Sequence, residues 1–168
     1  MRENTRRPAI SIRDIEPEDY PLLGDFLWHA IFLPPGAEAL PRDVIFQQEI
    51  YVYIDGFGGK PGDCGVVAEA GANASGRIVG AAWTRIIPAF GHIDDDTPEL
   101  ALSVLPEYRG QRVGTMLMTR LFALLRERGY ARTSLAVQQK NAAVRFYERL
   151  GYTIVGRSAE EYIMVKEL

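Results

Sequence analysis

Residues 106–117 read PEYRGQRVGTML, and how this stretch joins its neighbours decides the fold. Before it, PELALSV (98–104) has the apolar, β-branched character of a strand. After it, Val113, Met116, Leu117, Leu121, Leu124 and Leu125 fall at helical spacings, and Gly129 stands where a helix C-terminal cap belongs. A strand that passes through a short turn into a helix leaves about four backbone N–H groups without intrahelical partners. The helix dipole adds partial positive charge at that end. Gly110 and Gly114 let a ligand approach the backbone, and Arg109 and Arg112 add full charges, so a phosphate or diphosphate is the expected guest. The glycine spacing is not that of a P-loop, and the three-glycine dinucleotide fingerprint is missing, which sets ATP and NAD aside.

Working outward, AISIRDI (9–15) alternates as a strand, and EDYPLLGDFLWHAIFLP (18–34) carries the stripe of a first helix that begins near Pro17. PRDVIFQQEIYVYI (41–54) predicts a second helix with a β-branched, aromatic end. DGFGGKPGD (55–63) is too rich in glycine for a helix or strand and reads as a loop, either a lid or a long connection. GVVAEAG (65–71), SGRIVGAAWTRII (75–87) and PELALSV are three successive strands, the first two joined by GANAS (71–75) as a hairpin connection. TSLAV (133–137) follows as a strand, NAAVRFYERL (141–150) as a short helix capped by Asn141 and ended at Gly151, and YTIVG and EYIMVKEL as closing strands. The fold class is α/β (α+β), a largely antiparallel sheet flanked by helices. Residues 1–8 are expected to form a tail and residues 9–168 a single domain.

The chain has 168 residues, 47% of them hydrophobic and 24% charged, which suits one packed globular domain. A net charge of −3 offers no general attraction to nucleic acid or to anionic lipid, so any anion site must be local. One cysteine, Cys64, allows no intrachain disulfide and no paired zinc spacing, and no segment has the length of a membrane helix. A cytoplasmic protein without a metal is expected. Its oligomeric state is open, a homodimer included.

The turn resembles the acyl-coenzyme A signature of the GNAT N-acetyltransferase superfamily, Gln/Arg-x-x-Gly-x-Gly/Ala, with Arg109 in the first place and Gly114 in the last. Arg112 stands at the middle glycine and is expected to present its N–H from a helical conformation. NAAVRFYERLGY (141–152) is similar to the superfamily's other segment, Asn-x-x-Ala-x-x-Phe-Tyr-x-x-x-Gly-Phe/Tyr. Counted from Asn141, Val144 stands in the alanine place.

The resemblance implies direct transfer of an acetyl group from acetyl-CoA, as cosubstrate, to an amine. It places the diphosphate on the amides of Gln111, Arg112, Val113, Gly114 and Thr115, beside Arg109 and Gly110. The pantetheine arm would pair with the edge of Leu102–Val104, with an N–H near Val104 polarising the thioester carbonyl. It also makes Tyr147 the general acid and Asn141 a cofactor contact, although Asn141 fits an N-cap equally well. An alkyl amine of pKa about 10.4 must shed a proton first, at a cost of roughly 4 to 5 kcal/mol at pH 7. Glu99 is the candidate base: strand alternation puts it on one face with Ala101 and Ser103, although a carboxylate meeting a neighbouring arginine would look the same.

Eight aromatic residues lie between Tyr20 and Phe57, among them Trp28, Phe32, Tyr51 and Tyr53. Most are expected in the core, a few as walls of an acceptor pocket with Trp83. The acidic run HIDDDTPE (92–99) either draws a cationic acceptor or is merely solvated, and His92 is expected at the surface. Three functions follow: an N-acetyltransferase for a small amine such as an amino acid, polyamine or amine-bearing antibiotic; one for protein N-termini or lysines; or a non-catalytic acyl-CoA sensor.

Overall fold

The computed structural model describes residues 7–71 and 76–168. Most of the expected tail (1–6 of 1–8) and most of GANAS therefore lie outside the described residues. Seven strands form one sheet in the order β1-β2-β3-β4-β5-β7-β6. The strands are β1 (Ile10–Asp14), β2 (Cys64–Ala70), β3 (Arg77–Arg85), β4 (Glu99–Val104), β5 (Arg132–Gln138), β6 (Thr153–Arg157) and β7 (Glu161–Glu167). Every neighbouring pair is antiparallel except β4 and β5, which run parallel. The described residues thus make a single α/β domain of the expected class.

Helix α1 (Leu23–Ala30) and the short α2 (Gln48–Tyr51) lie on one face, α3 (Val113–Glu127) and α4 (Ala143–Arg149) on the other. The register fixes this. Gly80 pairs with Val104, and a Cβ on Gly80 would come within 3.0 Å of Leu117 on α3. Trp83 points to the opposite face and donates its indole N–H to the Tyr53 carbonyl at 3.0 Å. Covered on both sides, β2 and most of β3 are buried, as their continuous apolar runs require.

Three expectations change. The first helix begins as a 3-10 turn (Pro17–Leu22) because Pro21 lies inside it, and it ends at Ala30 rather than near Pro34. The second divides into a 3-10 turn (Arg42–Phe46) and α2, separated by the extended Gln47. In α3 the buried stripe takes in Met118 and Phe122, while Met116 is 37% exposed. The stripe is wide because α3 lies across β1 to β4, while Phe122 also packs 6.0 Å from Tyr152, just before β6.

Candidate active site

The turn before α3 differs from expectation at Arg112. Its φ is 65° and ψ 13°, a left-handed conformation and the only positive φ at a non-glycine among the described residues. Gly110 is left-handed as well, at φ 71°. A glycine in the middle place of the superfamily pattern would adopt this shape freely, whereas Arg112 carries a cost of about 1 kcal/mol. Left-handed residues next to a helix turn backbone N–H groups inward to form an anion-binding hollow. The first helical bond is Met116 N–H to Arg112 O, no acidic residue lies in the first turn and no side chain caps it. The amides of Val113, Gly114 and Thr115 therefore have no intrahelical acceptor. Arg109 Nε donates to Val104 O at 2.9 Å, and Gln111 Nε2 to Glu107 O at 3.0 Å, so both side chains brace the turn from outside.

Beside this turn the sheet opens. β4 and β5 are paired only at Glu99 and Ser134, and their remaining residues diverge. Leu105 N–H donates to Val79 O at 2.9 Å, so by antiparallel alternation the backbone groups of Leu102 and Val104 face away from β3 and into the opening. Those are the two positions expected to present a free strand edge; among the described residues their amides and the Leu102 carbonyl are unpaired, whereas the Val104 carbonyl is taken by Arg109 Nε.

Glu99 sits at the closed end of the opening, 2% exposed. Its partner across the ladder is Arg85, yet the two do not form an ion pair. Arg85 turns instead to Asp63, with Nε 2.8 Å from Oδ1, and to the carbonyls of Val52 and Asp55 at 3.0 and 2.6 Å. Glu99 is left with a phenol: the Tyr53 hydroxyl donates to Oε2, and Oε1 is buried without a partner. Burial pushes the Glu99 carboxyl up to about 7, against the opposing pull of the Tyr53 hydroxyl and the Gly91 amide, and Glu161 adds to the rise. Burial beside Glu99 drives the Tyr53 phenol far above its ordinary value, so it remains a donor. Ser103, on the same face of β4, also has a buried hydroxyl without a partner.

On the other face, a Cβ on Gly114 would meet Phe146 Cζ at 3.3 Å, so the start of α3 and the middle of α4 touch. Tyr147, next along α4, packs edge-on to Tyr152 at 5.6 Å, and burial raises its phenol. No contact joins Tyr147 to Glu99; the sheet separates them. Asn141 Oδ1 accepts the Ala143 N–H at 2.9 Å, the capping role. Counted back from Phe146, Tyr147, Gly151 and Tyr152, the alanine place of the second segment is Ala143, not Val144. The asparagine place is then Lys140, one residue before Asn141.

The glycine-rich loop is tied down rather than free to close. Asp63 accepts the N–H groups of Gly58 and Lys60 as well as the Arg85 guanidinium, and Tyr130 donates to Pro61 O. In the acidic run, Asp94 binds Arg132, and Asp95 lies 3.5 Å from His92. His92 is not wholly at the surface, since its Nδ1 is buried without a partner. Trp83 is fully buried and bolts Tyr53 from beneath rather than walling a pocket. Trp28 is stacked by Arg42 at 4.0 Å. Sequence reasoning counted Tyr53 among eight aromatics expected mostly in the core, a few as pocket walls, and missed its bond to Glu99, which spans 46 residues and leaves no local signal. Among the described residues, no group of three His, Cys, Asp or Glu side chains is arranged to hold a metal ion.

The site is thus a mixed α/β sheet opened between two parallel strands, beside a helix N-terminus with free amides. Residues 12–152 match the Acetyltransferase (GNAT) family. The chain belongs to that family. PaiA N-acetyltransferase from Thermoplasma acidophilum, solved in complex with coenzyme A, is similar at TM-score 0.65 and 19% identity over 95% of this chain and 99% of that one. A GCN5-related N-acetyltransferase from Kribbella flavida gives 0.66 and 20%, over 95% and 98%. In sequence, the mycothiol acetyltransferase of Thermobispora bispora is 38% identical over 84 residues, which are 49% of this chain and 28% of that protein. That of Streptosporangium roseum is 35% identical over 79 residues, 46% and 23%. The chain thus spans about a quarter of the length of these curated relatives.

Proposed function

We propose that this enzyme transfers the acetyl group of acetyl-CoA directly to the primary amine of a small molecule, with Glu99 as base. The observation that carries the reading is the opening itself: free helix N–H groups and a free strand edge on one side, and a buried carboxyl with one unpartnered oxygen at its end. The diphosphate rests on the amides from Gln111 to Thr115, with Arg109, Gly110 and Arg112 around it. The pantetheine arm lies along Leu102 and Val104. Coenzyme A in the Thermoplasma relative and the mycothiol acetyltransferase name of the curated relatives support a CoA donor and a non-protein acceptor.

Glu99 Oε1 takes one proton from the acceptor's ammonium, and the neutral nitrogen attacks the thioester carbon. As the C–N bond forms, the Val104 amide steadies the oxyanion. The C–S bond then breaks, the sulfur leaves with the electron pair, and the nitrogen loses its second proton. With its phenol raised by burial, Tyr147 is a poor acid, so it steadies the thiolate by hydrogen bonding. A proton ends on the thiol, and Glu99 releases its own to water.

Calorimetric titration with acetyl-CoA, followed by thiol release against a panel of amines and peptides, tests the reading. Binding with amine-dependent release supports it. Release with peptides alone would redirect it to a protein acceptor, binding without release would leave a sensor, and absence of binding would overturn it.

A further inference from the structure

The segment that carries Tyr53 is fastened by the two β3 side chains that flank Glu99 in the ladder. Trp83, opposite Ala101, donates to the Tyr53 carbonyl, and Arg85, opposite Glu99, donates to the carbonyls of Val52 and Asp55 on either side. Asp63 holds the same guanidinium through both its oxygens, at 2.8 and 3.1 Å. Arg85 is thereby withheld from Glu99 and used to aim a phenol at it. The buried carboxyl gains a neutral hydrogen-bond donor where the strand register offered a cation.

We propose that Tyr53 is a positioning residue for the Glu99 base, its hydroxyl fixing Oε2 so that Oε1 alone faces the incoming ammonium. This rests on the reading of Glu99 given above. A cation at Oε2 would hold Glu99 permanently ionised and weaken it as a base, whereas a bare apolar wall would keep it protonated and unable to accept. The phenol lies between these extremes. It favours the carboxylate by hydrogen bonding while adding no charge, and so leaves the group able to gain and lose a proton near neutrality.

The groups that bear on this balance come from several elements. Glu161, at the start of β7, opposes ionisation. Arg85 is neutralised by Asp63. His92, one residue from Gly91, is turned to Asp95, and Asp94 to Arg132. Ser134, paired with Glu99 across the opening, spends its hydroxyl on Gly91 O at 2.7 Å. Tyr53 is the one side chain among the described residues that hydrogen-bonds the Glu99 carboxyl.

The test is Tyr53→Phe in the full chain, with two readouts beside a Glu99→Gln control. In the pH profile of kcat/KM, removal of a donor that favours the carboxylate moves the acid limb up by about one unit. Activity falls about fivefold at pH 7, approaches a tenfold loss further down the acid limb and recovers at pH 9, with acetyl-CoA affinity unchanged. The infrared band of the protonated carboxyl, assigned by its loss in Glu99→Gln, persists to higher pH in Tyr53→Phe and requires no known acceptor. An acid limb and a band that stay at the wild-type pH, in a variant that binds acetyl-CoA normally, would overturn the inference while leaving Glu99 as base. Wild-type turnover by Glu99→Gln would overturn the base reading itself, and the inference with it.

Discussion

Glu99 holds a carboxyl group where ionisation is opposed by burial, and this has a consequence for stability as well as for chemistry. Its pKa stands near 7 in the folded chain against 4.5 for an ordinary glutamate. The folded state therefore binds the proton more tightly than the unfolded state does. Stability from this group is greatest below pH 4.5, falls as pH rises through the interval to 7, and is level above it. The difference corresponds to about 3 kcal/mol. Glu99→Gln removes the titration. Denaturant unfolding of both proteins should show the variant gaining on wild type by up to about that amount between pH 4.5 and 8, with no further change above. A constant gap across this range would show that the carboxyl is better solvated than its 2% exposure indicates. The same residue shows where sequence reading stops. Strand alternation was enough to put Glu99 on a face with Ala101 and Ser103, but the choice between a base and an ion-paired strand end depended on where Arg85 points. Asp63, 22 residues from Arg85 in a loop without periodicity, takes the guanidinium, which removes the ion-paired alternative without itself making Glu99 a base.

At the scale of elements, the two recognisable segments prove to be one packing unit, since Gly114 of α3 meets Phe146 of α4. The small residue suits that approach rather than its dihedral angles, which are helical. Gly114→Ala adds one methyl at a contact where Phe146 must give by a few tenths of an ångström, so acetyl-CoA affinity should change little. Gly114→Glu adds bulk against α4 and a negative charge at the positive end of the helix, beside the proposed diphosphate. Calorimetry should show at least about a 30-fold loss, the equivalent of about 2 kcal/mol. Unchanged affinity in that variant would remove the cofactor from this turn. The helix was legible because its apolar residues recur at local spacings over fifteen residues. Its left-handed entry was not, because nothing in the sequence announces an arginine in a glycine's conformation. The second helix failed for a related reason: at Gln47 the chain takes a β-region ψ of 133° inside an otherwise helical pattern, and tertiary contacts decide such a break.

Across the whole molecule, the sheet is two ladders joined at one residue pair. β1 to β4 form one, β5 to β7 the other, and between them stand the Glu99–Ser134 pairing and the bonds that Ser134 N and Thr133 Oγ1 make to Pro98 O, at 3.0 and 2.9 Å. The succession of strands along the chain could be read from the sequence, but not their order in the sheet, in which β7 lies between β5 and β6; the divergence of β4 from β5 was implied by the family resemblance alone, because it reflects a missing ladder rather than a residue type. Two diverging edges with free backbone groups leave the ladder incomplete, and in the proposed site a pantetheine arm with its own amides would supply what is missing. If it does, acetyl-CoA acts on the fold as a whole. At a hundredfold excess over Kd it should stabilise the protein by about 2.7 kcal/mol. Hydrogen exchange should resolve where. The amides of Ala101 and Ser103, bonded to β3, should be slow with or without ligand. Those of Leu102 and Val104, which face the opening, should exchange fast in the free protein and slow by at least about tenfold on binding, together with amides of β5 across the gap. Protection confined to the start of α3 would mean that the diphosphate site is right and the course of the arm along β4 is wrong.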